Sequence, residues 1–139
     1  MRVAHNLVVM VEGTVAFLAY FFPVSLGVAG LWLWGLVTAI RHTTGRVDRL
    51  AGWCLLPACL TLGLLVVGTV FAHGNSSPPP AYPVWLVLGL VLAHLPLSGV
   101  LVWRAGDQWP LVAASSAVWG WVSACAALVA GMSVTGDWL

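Results

Sequence analysis

Two ionisable residues, His94 and Glu12, stand inside long apolar stretches of this sequence. An ionisable side chain in apolar surroundings is costly, and it marks a candidate ligand or proton-handling group. His94 lies nine residues before Trp103, the end of its apolar stretch, which Arg104 closes. On a helix rising 1.5 Å per residue, that is roughly 14 Å deep. The same count on the neighbouring stretches brings Leu31 and Trp32, Cys59 and Thr61, and Trp119 and Trp121 to similar depth.

An imidazole among Trp32, Trp119 and Trp121 suggests a pocket for haem b or a quinone, with the indoles stacking on the ring system. A haem with two protein ligands needs a second His or Met at matching depth. His42 and His73 lie at stretch boundaries and Met132 at a far end, so such a haem would require a partner subunit or a two-fold pair of His94 residues. The plainer reading is a neutral His94 whose ring bonds Thr61, Ser98 or a backbone carbonyl while the tryptophans fill space. Glu12 is the second candidate, for ion or proton coupling. If its stretch crosses a membrane, the carboxylate sits at the midplane, level with His94. If the stretch lies at an interface, Glu12 reaches water.

No Ser/His/Asp set, carboxylate pair, metal-spaced His/Cys cluster or phosphate loop is present. Catalytic and metal-ligating residues are therefore not expected, and neither is an independent enzyme. Cys54, Cys59 and Cys125 lack C-x-x-C spacing and read as three small buried hydrophobes.

The elements that hold these residues follow from composition. Of the 139 residues, 61 % are hydrophobic and 6 % charged, whereas a soluble domain has about 25 % charged residues. A soluble fold could not cover its surface with so few charges, so the solvent is lipid. A net charge of +1 gives no reason to expect nucleic acid as a partner. All basic residues are Arg, which is associated with GC-rich bacterial genomes. The N-terminus is not expected to be a signal peptide: Arg2 is its only basic residue, Glu12 interrupts the apolar run, and no small-residue cleavage site follows.

The fold class expected is all-α, a polytopic membrane bundle with spans at about 21–40, 50–72, 84–103 and 110–132. Residues 3–20 then form an amphipathic segment at or beyond the surface, with His5 and Glu12 two turns apart on one face. The alternative is a fifth span at 3–20 with a turn at Tyr20–Pro23. A single helix over that stretch is preferred, because the turn would be aromatic and Pro23 suits a kink or a fresh helix start.

The loops 41–49 and 104–109 carry four arginines and share one side, whereas the proline-rich loop 73–83 has no charge. The positive-inside rule makes the charged loops cytoplasmic in an inner membrane. Trp53, Trp103 and Trp109 on one side and Trp85 and Trp138 on the other would form interfacial belts. Small residues at Ser116, Gly120 and Ala124, at Ser123, Ala127 and Gly131, and at Gly89 and Ala93 predict close helix approach.

The function expected is an accessory or structural subunit of a larger membrane complex. Its partners would be the lipid bilayer and other membrane subunits or further copies of the chain. The alternatives are a haem- or quinone-binding redox subunit around His94 and a small oligomeric transporter using Glu12.

Overall fold

A computed structural model describes residues 2–42, 53–72 and 81–136, with the side chains of Arg2 and His42 left aside. Among these residues every regular element is helical: α1 Arg2–Tyr20, α2 Phe22–His42, α3 Ala58–Val70, α4 Tyr82–Arg104 and α5 Trp109–Thr135. A helical turn at 53–55 precedes Pro57, so Trp53–Val70 forms the third apolar segment. Five segments are long and apolar enough to cross a membrane by length and composition. The chain is thus an all-α bundle compatible with a small multi-pass membrane protein.

The helices are apolar on all sides, as expected where lipid covers the outside. What distinguishes inside from outside is a few small and polar residues. α5 is the central element and touches each of the other helices. It starts with Pro110 in its first turn and ends at Gly136, whose φ of 77° suits glycine. Gly136 N–H closes the end on Met132 O at 2.8 Å. At the other end Gly106, with φ 54°, lets the chain reverse from α4 into α5 through one 3-10 turn.

Contacts along α5 set the register of everything else. Gly35 of α2 meets Pro110, Leu111 and Ala114. Ser25 and Phe21 meet Trp121. Gly13 of α1 meets Val129, and Met10 and Ala130 both border Gly68. As residue numbers fall from 35 to 10, their partners on α5 rise from 110 to 130. α1 and α2 therefore run in the same sense, end to end and antiparallel to α5, as one broken rod. A hairpin would bring residue 10 back towards the start of α5. In the bundle the chain makes four passes, and the first consists of two helices.

The break lies at Phe21. Pro23 has no N–H for the carbonyl of Ala19. The Leu18 carbonyl takes the Ser25 hydroxyl instead, at 2.8 Å, and Ser25 Oγ in turn accepts from Trp121 Nε1 at 3.0 Å. Phe21 stacks edge-on against Trp121 with ring centroids 5.8 Å apart. Pro23 thus starts a new helix, as its position suggests, without turning the chain back.

This register corrects the placement of the N-terminal segment. Residues 10–35 accompany α5, rather than 21–40 alone, and residues 3–20 neither project from the bundle nor lie apart from it. Met10 is fully buried, and Phe17 packs against the same core cluster. The amphipathic character has a different use from the one expected. His5 and Glu12 are exposed on one face, while Met10 and Thr14 on the other pack inward.

Arg41 and Arg104 come to the same bundle end, as their loops require; Arg46, Arg49, His73, Asp137 and Trp138 lie outside the described residues. Trp103 and Trp109 at that end and Trp85 at the other are exposed.

The cysteine expectation holds in part. Cys125 is buried and Cys54 half-buried against Leu101, Ala105 and Val112, but Cys59 is exposed. In a helix covered by lipid, an outward thiol costs as little as an outward alanine, so burial is not enforced.

Candidate functional site

α4 and α5 bring the most polar part of the interior together. His94 is 7 % exposed, and its Nε2 lies 3.1 Å from the Ser116 carbonyl. A carbonyl only accepts, so Nε2 is the donor of this bond. The imidazole fits because residue 120 is glycine: a Cβ there would stand 3.1 Å from Nε2. Thr61 does not reach the ring; its hydroxyl pairs with Ser123 Oγ at 2.7 Å and ties α3 to α5. Of the two kinds of partner the plainer reading offered, the backbone carbonyl is the one present.

Four buried polar atoms here have no hydrogen-bond partner within the protein: His94 Nδ1, Ser98 Oγ, Ser115 Oγ and Ser116 Oγ. Ser98 is one turn from His94 on the same face of α4, Ser116 is on the side of α5 that meets His94, and Ser115 is turned about 100° from Ser116 around α5. Threonines elsewhere in the helices behave differently. Thr14, Thr38, Thr69 and Thr135 each donate to the carbonyl four residues back, at 2.6 to 2.9 Å. That bond is open to any helical serine, yet Ser98, Ser115 and Ser116 do not make it. A buried hydroxyl without a partner costs about 1–3 kcal/mol.

Two apolar clusters enclose this layer. On one side are Leu101, Ala105 and Val112, with Trp53, Cys54, Leu97 and Val102 against them. On the other are Met10, Leu64, Val87, Ala126, Val129 and Ala130. Val112 and Ala126 are fourteen residues apart on α5, roughly 21 Å, and the His94 group and the Thr61–Ser123 pair lie between them.

The tryptophans of the expected pocket are distributed otherwise. Trp32 is 38 % exposed at the bundle surface. Trp121 turns to α2, bonded to Ser25 and against Phe21, and Trp119 is half-buried. An axial haem bond needs the lone pair of a ring nitrogen. Nε2 faces the Ser116 carbonyl, with Gly120 against the ring.

Glu12 is exposed. Its neighbour Gly13 meets Val129, whereas His94 meets Ser116 and Gly120. The two candidate residues are thus nine to thirteen positions apart along α5, roughly 14–20 Å, and do not share a level. An apolar cleft of about 480 Å³ opens beside the helix break, lined by Ala16, Phe17, Tyr20 and Phe21; it offers no acid, base or nucleophile apart from the Tyr20 hydroxyl. Among the described residues, no group of three or more His, Cys, Asp or Glu could hold a metal ion.

Sequence reasoning missed the other polar fasteners. Asn6 Nδ2 donates to Thr69 O at 3.3 Å and Ser133 Oγ to Gly68 O at 2.8 Å, joining α1 and α5 to α3. A polar residue inside an apolar run was the available signal, and it was present at both positions.

The chain matches no protein-family model, no curated protein and no solved structure.

Proposed function

We propose that this protein is an accessory or structural subunit of a larger membrane complex. The carrying observation is the outward face of the α1–α2 rod. α5 is enclosed by its neighbours, whereas the rod contributes only one stripe to the bundle. Its uncovered face carries the carboxylate of Glu12, and Gly27 and Gly30 one turn apart with nothing within 4 Å of where a Cβ would stand. Lipid covers Leu26, Leu31 and Leu33 well but gains little from two glycines. A partner helix uses such small residues for close approach, and a polar membrane residue finds its counterpart in protein. Inside the bundle, by contrast, Thr61, Ser123, His94 and Ser133 fasten one helix to the next.

This reading places the protein in a bacterial inner membrane as a multi-pass protein, with the end bearing Arg41 and Arg104 in the cytoplasm. The redox alternative has less support, since His94 Nε2 is engaged. Transport through Glu12 has less support because the carboxylate faces outward, far from the polar layer. The test is photo-crosslinking in native membranes, with a photoreactive residue at position 27 or 30 and a control at exposed Leu62. A discrete protein adduct at 27 or 30 and none at 62 supports the subunit role, and its mass separates a second copy from a different protein. Lipid adducts alone at all three positions overturn it.

A further inference from the structure

We propose that the cleft at the helix break binds a neutral, lipid-soluble carbonyl compound of the quinone class, its ring against Phe17 and Phe21 and a carbonyl accepting from the Tyr20 hydroxyl. The inference does not depend on the subunit role.

The first support is the space and its walls. The cleft has a volume of about 480 Å³ and is lined by Ala16, Phe17, Tyr20 and Phe21. Small-molecule sites run from about 300 to 1,000 Å³, with apolar and aromatic walls and a few polar groups. The break opens the space: Phe21 stands between the two helices and turns edge-on to Trp121, and Ala16 contributes only a methyl. The Phe17 and Phe21 rings lie near parallel, 16° apart with centroids at 6.4 Å. Tyr20 stands edge-on to Phe21 at 5.2 Å. Aromatic walls favour a planar ring, through offset stacking and edge contacts, over a flexible chain. No lining residue is charged, so the ligand is neutral.

The second support is depth. Trp121, which meets Phe21, is twelve residues from Trp109 and fourteen from Thr135, at the middle of α5. His94 is twelve from Tyr82 and ten from Arg104, and it meets α5 at Ser116 and Gly120. The middles of α4 and α5 thus coincide, and the cleft lies at that level. For helices crossing a bilayer this is the midplane, whereas membrane tyrosines ordinarily sit at the headgroup level. Tyr20 is 81 % exposed, and its hydroxyl makes no hydrogen bond among the described residues. A hydroxyl in hydrocarbon without a partner is costly. A phospholipid in its usual place supplies none, because its ester oxygens lie at the edge of a hydrocarbon core about 30 Å thick, roughly 15 Å away. A carbonyl on an apolar body free of the headgroup layer reaches it. Entry is lateral, from the bilayer, since Ala16 and Tyr20 are exposed.

Photolabelling tests this, with the whole protein in phosphatidylcholine nanodiscs and an azido derivative of a short-chain ubiquinone. Adducts are mapped by peptide mass spectrometry. The expected result is saturable labelling within residues 16–21, competed by unmodified ubiquinone. Tyr20→Phe keeps the ring and removes the hydroxyl; it should raise the half-saturating concentration about two- to tenfold, the weight of one hydrogen bond. Ala16→Phe fills the cleft and should abolish the saturable adduct. Labelling that does not saturate, or that spreads evenly over the exposed apolar faces, overturns the site. Unchanged affinity in Tyr20→Phe overturns the carbonyl contact. Equal competition by hexadecane would make the occupant an apolar chain and overturn the quinone class. If Ala16→Phe fails to assemble, Tyr20→Phe and the competition decide.

Discussion

Gly35→Ala is the most direct probe of the register between the broken rod and α5. An added Cβ would stand 2.8 Å from Ala114 Cβ, 2.9 Å from the Pro110 carbonyl oxygen and 3.3 Å from Leu111 Cα. Carbon atoms prefer about 3.5–4.0 Å. Two of the three obstacles are backbone, and the third is a methyl fixed to it, so no rotamer change relieves the clash. The helices must separate by about 0.5–1 Å, which forfeits roughly a quarter to a half of each dispersion contact along the seam. Overpacking of this kind costs about 1–3 kcal/mol, offset by up to about 1 kcal/mol from replacing a helical glycine with alanine. The net expectation is a loss of about 1–2 kcal/mol. Gly27→Ala is the matched control, since it adds a Cβ to the same helix with nothing within 4 Å. It should be neutral or slightly stabilising. Equilibrium unfolding of the purified protein in mixed micelles measures both. Equal midpoints for Gly35→Ala and Gly27→Ala would refute the close approach of α2 to α5 and with it the register.

Other outcomes can be checked in parallel. Thr61→Val should cost about 0.6 kcal/mol, and no more than about 1.7; a double-mutant cycle with Ser123→Ala should return coupling of that size, and zero coupling would remove the bond. Gly68→Ala should destabilise the bundle less than Gly35→Ala, because its nearest obstacle is the flexible end of Met10, although Ala130 Cα also stands at 3.0 Å; a larger loss than at Gly35 would contradict this. A reporter fused after Leu139 should be active outside the cytoplasm, and activity only inside would reverse the assigned orientation. His94→Leu should leave the visible absorption spectrum of protein purified from native membranes unchanged, and a lost haem band would reinstate the redox reading.

The depth of His94 was legible in the sequence because helical rise is nearly constant. Counting from Trp103 placed it level with Trp119 and Trp121, which flank its actual neighbour Gly120, and placed Thr61 near Ser123. The facing direction was not legible. Helices apolar on every side carry no stripe that says which tryptophan turns inward, so Trp32 was grouped with His94 although it lies at the surface. The first forty residues were legible in composition but not in register. Whether Pro23 begins a second crossing or a second half of the same one depends on contacts with α5, a hundred residues later. The tight approaches at Gly13, Gly35 and Gly68 were also hidden, since nothing in a single sequence separates them from Gly27 and Gly30, which meet nothing. Hydroxyls were the better guide: Ser115, Ser116, Ser123 and Ser133 all sit inside, because each is costly outside.

The central position of α5 has a consequence for how the protein is made. α2 packs on α5 and touches little else. During synthesis from the N-terminus, the earliest helices leave the ribosome well before residues 109–135 exist. Until then α2 has no docking surface, and α1, α3 and α4 can form only a partial, loosely joined set. The last helix to enter the membrane is thus the one that gathers the others. A chain cut short before Pro110 would present separate apolar helices to the quality-control proteases, while one that reaches Thr135 closes around its own final segment.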